Sequence, residues 1–187
     1  MTEHTSNRTQ LIEQLSAVFE RNGYAGATLS QLAAATGLSK SSLYHHFPGG
    51  KREMAQALLR HAVAEVEVLA FSCLQGPERP TTRLAAFLEG FSRYVEDGAG
   101  HCLLAVLAQG GARAELGDEI AAQVGDWTNL LTKTLEESGV KPKRARRLAG
   151  DLLDQLYGSL TVGKMLNDPA HFRRTVKRIA KRLRKGG

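Results

Sequence analysis

Little in this 187-residue sequence points to covalent scaffolding, membranes or enzyme chemistry. It has two cysteines, Cys73 and Cys102, too few for a disulfide framework, and they read as reduced thiols of a cytoplasmic protein. Aromatic residues make up 6% of the chain and charged residues 24%, and the mean hydropathy is −0.26, which excludes both a membrane protein and a disordered tail. Met1 to Gln10 is polar and lacks an apolar signal core, so export is not expected. No run alternates apolar and polar residues as a half-buried strand does. There is no phosphate-binding glycine loop and no nucleophile elbow, and His45, His46 and His61 lack cysteine or acidic partners at metal-ligand spacing. An enzyme, a metal or a cofactor is therefore not expected.

What the chain does have is helical periodicity from end to end, and the fold class it predicts is all-α. Asn7 or Ser6 can cap a first helix with an apolar stripe of Leu11, Ile12, Leu15, Val18 and Phe19, ended by Gly23 and Gly26. Thr28-Leu29-Ser30-Gln31 has the capping-box form and opens a short helix to about Ala35, with Gly37 as the left-handed residue after its end. Ser39 caps a third short helix through Phe47, closed by Pro48-Gly49-Gly50, and a long helix follows from Lys51 to about Leu74. Pro77 and Pro80 make the clearest break. Beyond it the pattern predicts helices at about 81–97, 102–110, 117–138, 142–165 and 169–184. The expected organisation is an N-terminal domain over 1–50 and a second helical domain over 51–187, with the helix 51–75 connecting them.

The informative stretch is TLSQLAAATGLSKSSLYHHF, residues 28–47. Two short helices joined by a turn of about four residues that contains glycine describe a helix-turn-helix. Ala33 and Ala34 suit a close crossing, Leu38 and Leu43 fill the space between the helices, and Leu32 and Phe47 face the first helix. That leaves Ser39, Lys40, Ser41, Ser42, Tyr44 and His45 on the outer side, a set of hydrogen-bonding groups, one long cation and two rings suited to a major groove. Thr28 and Lys51 stand at helix starts, where free amides and the positive dipole end favour a phosphate.

The run TLSQLAAATGLSKSSLYHHFPGGKREMAQALL resembles the N-terminal DNA-binding domain of TetR-type transcriptional regulators over roughly residues 8–60. HCLLAVLAQGGARAELGDEI and DPAHFRRTVKRIAKRL resemble the C-terminal domains of an LmrA/YxaF-like subgroup. The resemblance implies about nine helices, a homodimer joined through the last two, double-stranded DNA with a palindromic operator, and a small apolar or aromatic inducer in the C-terminal domain. By the same resemblance Thr28 and Lys51 hold phosphates, Tyr44 and His45 grip the backbone or a base edge, and Lys40, Ser41 and Ser42 reach bases. For Ser39 a helix cap is the simpler role.

Apolar and aromatic residues recur in the second half, and core packing is the default for most of them. The resemblance singles out Phe87, Phe91, Tyr94, Leu103, Leu107, Trp127, Leu131 and Tyr157 as candidate cavity walls, with Gln109, Asp126 and Asn129 as polar anchors. The helix at 142–165 has an apolar stripe wider than one core face needs, so Leu148, Leu152 and Leu156, with Phe172, Val176 and Ile179 of the last helix, are the expected dimer interface, with burial inside the monomer as the alternative, weaker for the wide stripe than for the narrow one. The reading that follows is a ligand-responsive repressor. An activator of the same fold is the near alternative, and a membrane-surface amphipathic protein a remote one.

The net charge of +6 divides unevenly: residues 1–65 carry +1, residues 66–139 carry −6 and residues 140–187 carry +11. The basic surplus thus lies far from the helix-turn-helix in sequence, and DNA affinity is expected from a few aimed contacts rather than from bulk charge.

Overall fold

The computed structural model describes residues 2–100, 102–109 and 111–184, with side chains from Arg8 onward. Among them are nine α-helices and no strand: α1 (Thr2–Gly26), α2 (Leu29–Thr36), α3 (Lys40–His46), α4 (Gly50–Val66), α5 (Pro80–Tyr94), α6 (Leu103–Leu107), α7 (Ala112–Glu137), α8 (Pro142–Met165) and α9 (Ala170–Arg184). The chain forms two compact units, one of Met1–Ala64 with Cys102–Ile120, the other of Glu65–His101 with Ala121–Gly187.

The first unit is built on α1, which packs on α2 and on α6. Leu11, Leu15, Val18 and Phe19 form its buried stripe, as the periodicity requires. The helix begins at Thr2, before the predicted caps Ser6 and Asn7, because residues 2–7 contain no glycine or proline to stop it. Gly23 lies inside α1 with φ 66°, a break in the helix where the sequence placed its end.

The second unit holds α5, α8 and α9 together, with α5 crossing the segment that follows α4. The predicted helix to Leu74 is α-helical only to Val66; Glu67–Phe71 is a π-helical turn and Ser72–Gln75 a 3-10 turn. Tertiary contact explains the change. A Cβ at Gly90 of α5 would stand 1.8 Å from the Leu69 carbonyl oxygen, so the bare glycine lets α5 lie directly on that wide turn. The helix predicted at 81–97 stops at Tyr94, and Glu96 and Asp97 take positive φ in the turn leading to Gly98, which seats against Phe172 of α9. The helix predicted at 102–110 is short, Leu103–Leu107, with Gly110 outside the described residues. That predicted at 117–138 starts earlier, at Ala112.

Inside the second unit, aromatic rings form a continuous packed series. Trp127 stacks on Phe71 (centroids 4.6 Å), Phe71 meets Phe87 edge-on (5.0 Å), Phe87 neighbours Phe91 (6.2 Å), and Phe91 meets Tyr157 edge-on (5.4 Å). Arg83 is buried there, donating to the Leu74 carbonyl at 2.5 Å and pairing with Glu137. That hydrogen bond holds the Glu137 carboxyl below its ordinary range, and the Arg174 hydrogen bond does the same for Asp168 at the start of α9.

This packing makes stability sensitive at two kinds of position. Gly90→Ala drives a methyl into backbone that cannot swing aside and costs at least the ~1–3 kcal/mol of overpacking, whereas Gly125→Ala, with open space around it in α7, gains about 0.5–1 kcal/mol; urea midpoints measure both. Because the folded values of Glu137 and Asp168 are depressed, their contribution to stability is full above the ordinary values of 4.5 and 3.8 and is lost as pH falls through the folded values. Arg174→Gln therefore flattens the acid limb of stability against pH and leaves the limb above pH 6 unchanged in slope, as read by urea unfolding at a series of pH values.

Candidate nucleic-acid interface

The candidate surface is assembled by two capped helices and their turn. Thr28 caps α2: its Oγ1 accepts from the Gln31 amide at 3.3 Å, and Gln31 Oε1 accepts from the Thr28 amide at 2.9 Å, which completes the predicted capping box. Gly37 follows α2 with φ 67°, a left-handed conformation that an L side chain resists. Ser39 caps α3 by accepting from the Ser42 amide at 3.0 Å, and its hydroxyl also lies 2.9 Å from that of Ser41 and 2.8 Å from that of Ser42. The cap role expected of Ser39 is what the geometry displays.

Orientation of α3 comes from its inner side. Leu43 and Phe47 are 0% exposed, as is Leu32 of α2. Lys40, Ser41, Tyr44 and His45 are consequently turned outward, and Ser42 is half-buried beside the cap. Tyr44 is 46% exposed, although a Cβ on Gly50 would come within 3.3 Å of its ring, so the ring lies along the first turn of α4.

Lys51 stands in that same first turn of α4. Its Nζ is 3.5 Å from the Ala25 carbonyl and 4.7 Å from the centroid of the Tyr24 ring. Burial, with the Glu115 charge adding to it, pushes the Tyr24 phenol above its ordinary value, so the ring under the ammonium stays neutral. Arg52, next to Lys51, pairs with Glu115 at 3.2 Å. Sequence reasoning missed Tyr24 and Glu115, which lie 27 and 64 positions from Lys51 and give no local signal. With Thr28 at one helix start and Lys51 at another, the unit presents exposed donors and one aromatic hydroxyl across a single short helix, a set that can hydrogen-bond phosphates and base edges.

The other expected sites are distributed differently. Phe87, Phe91, Trp127 and Leu131 are fully buried, and with half-buried Tyr94 and Tyr157 they fill the core of the second unit. Only Trp127, together with Asp126 and Asn129, lines an open groove, beside the π-helical turn. Leu103, Leu107 and Gln109 belong to the first unit, where α6 packs on α1, and the Gln109 side chain donates to the Ala105 carbonyl at 3.0 Å. The expected dimer residues Leu148, Leu152, Leu156, Phe172 and Ile179 are buried within the single chain, and Val176 is half-buried. α8 packs on α9, and most of that wide stripe is buried inside their own unit. The outward side of α8 carries Asp154, Gly158, Thr161 and Met165 instead, all exposed. No cluster of three or more potential metal ligands occurs among the described residues, and no described helix is long and apolar enough to cross a membrane.

Comparison with known proteins agrees with the helix-turn-helix. The model of the bacterial regulatory proteins of the tetR family matches residues 11–58. The transcriptional regulator LmrA of Bacillus subtilis is 25% identical over 144 residues, 75% of this chain and 77% of LmrA. The transcriptional activator FasR of Mycolicibacterium smegmatis is 30% identical over 152 residues, 78% of this chain and 67% of FasR, and other relatives are named repressors. The crystal structure of a TetR transcriptional regulator from Chloroflexus aurantiacus superposes with a TM-score of 0.80 at 24% identity, covering 97% of this chain and 96% of that one. With capped α2, left-handed Gly37 and an outward-facing α3 supplying the reading head, this chain belongs to the TetR family of bacterial transcriptional regulators, which are DNA-binding proteins and not enzymes.

Proposed function

We propose that the protein is a homodimeric, ligand-responsive repressor that holds a palindromic operator through residues 1–50 and is released by a small molecule bound in the helical remainder. The observation that carries the DNA-binding half is the orientation of α3: Leu43 and Phe47 have no exposed surface, and so Lys40, Ser41, Tyr44 and His45 have nowhere to face but out. Lys40, Ser41 and Ser42 are assigned to base edges, and Thr28, Tyr44 and Lys51 to phosphates, with His45 at the backbone or a base edge. Two copies would place their α3 helices in successive major grooves, which favours half-sites about one helical turn apart.

For the dimer we assign the outward face of α8. Gly150 and Gly158 leave open space above the helix, and Met165, at 79% exposure, is the largest uncovered apolar side chain on that face. Small residues beside an exposed apolar one suit a self-complementary helix contact. A ligand releases DNA only by its differential affinity for the two states of the dimer. An activator is the second reading, favoured by the name that FasR carries.

Two measurements test this. Tyr44→Ala with Lys51→Ala takes away two phosphate-binding groups per copy, of which only Lys51 is a cation. The affinity for retained genomic fragments is expected to fall at least tenfold, and the slope of log affinity against log salt to become shallower by about 0.9 for each lysine removed. Undiminished binding by that variant sinks the assignment of α3. In sedimentation, Gly158→Glu is expected to yield a monomer that keeps its helical content, and a persistent dimer would remove α8 from the interface.

A further inference from the structure

A recess of about 170 Å³ opens in the second unit between the start of α5, the turn joining α7 to α8, and the end of α9. Leu84, Leu88 and Leu135 form its depth, and none of them exposes more than 2% of its surface. Ala85, Val140, Ala180 and Leu183 carry the apolar wall outward. None of the residues expected from the sequence to line a ligand cavity is among them. The volume is close to that of an engineered apolar protein cavity, about 150 Å³, that stays dry and takes up benzene. A recess of this size and lining prefers an apolar body of about six to eight carbons to water.

The polar side chains on its lining, those of Thr81, Ser138 and Arg184, belong to exposed residues, and the Ser138 hydroxyl donates to the Leu135 carbonyl at 2.7 Å. Glu137 is held by Arg83 and Asp168 by Arg174, and among the described residues no carboxylate lies within ion-pair distance of Arg184. Glu137 immediately precedes Ser138 and is the acid best placed in sequence to compete for Arg184, but buried Arg83 already engages it. The neighbouring exposed residues of α9, Lys181 and Arg182, add positive potential. An apolar recess with one uncommitted planar cation at its rim matches an amphiphilic carboxylate, whose two oxygens a guanidinium can take side by side.

We propose that this recess binds a monocarboxylate with an apolar body of about six to eight carbons, its hydrocarbon against Leu84, Leu88 and Leu135 and its carboxylate on Arg184. The site deepens the ligand-responsive reading above and rests on it for its regulatory meaning, though not for binding itself.

Thermal unfolding and calorimetry of the full-length protein with octanoate, 1-octanol and octylammonium separate the two halves of the proposal. Octanoate is expected to raise Tm in a saturable way, octanol to do so more weakly, and octylammonium not at all. Arg184→Gln should weaken octanoate about tenfold and leave octanol unchanged. Ala85→Trp fills the mouth from an exposed position, so the chain keeps its circular dichroism while both octanoate and octanol lose binding. The proposal is overturned if octanoate does not bind, if octylammonium binds equally well, or if Ala85→Trp leaves octanoate binding intact. It is overturned likewise if Asn129→Ala, in the groove beside the π-helical turn, abolishes binding in place of Ala85→Trp. DNA retention measured on the same samples distinguishes the two readings. Octanoate that binds as expected without releasing DNA sinks the ligand-responsive repressor and leaves the binding site standing.

Discussion

Burial of two side chains on one short helix governs what this protein can present to DNA. α3 has seven residues, too few to be stable alone, and it exists because Leu43 and Phe47 are taken out of water by its neighbours. Burying a leucine or phenylalanine fully is worth about 1.5–3 kcal/mol each, which outweighs the weak helix preference of serine, tyrosine and histidine around them. Once these two point inward, the helical repeat decides the rest: Lys40, Ser41, Tyr44 and His45 face out, and no separate device is needed to aim them. The caps at Thr28 and Ser39 add to this by fixing where each helix begins, and therefore which residue falls on which side.

The second unit solves a different problem. Its aromatic residues are sequentially scattered, yet from Trp127 through Phe71, Phe87 and Phe91 to Tyr157 they form one packed series. Two recesses lie where elements end: one between α5, α9 and the turn at Ser138, the other beside the turns that succeed α4. Helix ends supply unpaired donors and side chains free of the next turn, so recesses there combine apolar walls with a few polar groups. The charge distribution follows the same division. The exposed side of α9 carries Arg173, Arg174, Lys177, Arg178, Lys181 and Arg182, which locates much of the basic surplus on one helix face.

The geometry of the helix-turn-helix was nearly complete in the sequence because its signals are local. A capping box, a glycine after a helix end and the i, i+4 spacing of Leu43 and Phe47 each act within a few residues, so linear spacing suffices to find them. The bed beneath Lys51 was not legible, since Tyr24 and Glu115 reach it only through the packing of the unit. The wide stripe on α8 was ambiguous for a related reason. Apolar breadth records how much of a helix is buried but not by what, and here α8 is covered by its own chain, which moves the proposed partner surface to the side marked by Gly158 and Met165.

The amino-acid sequence by itself determined the all-α class, most helix boundaries, the helix-turn-helix and the outward set on α3, because periodicity and caps depend on near neighbours in the chain. Tertiary structure alone decided the π-helical turn at Glu67–Phe71, the filled aromatic core, and the position of the apolar recess by Arg184. Each of those arises where segments far apart in sequence meet. Gly90 receives a carbonyl twenty-one residues away, and Arg83 takes up Glu137 from fifty-four residues away, matches that no spacing rule along the chain encodes.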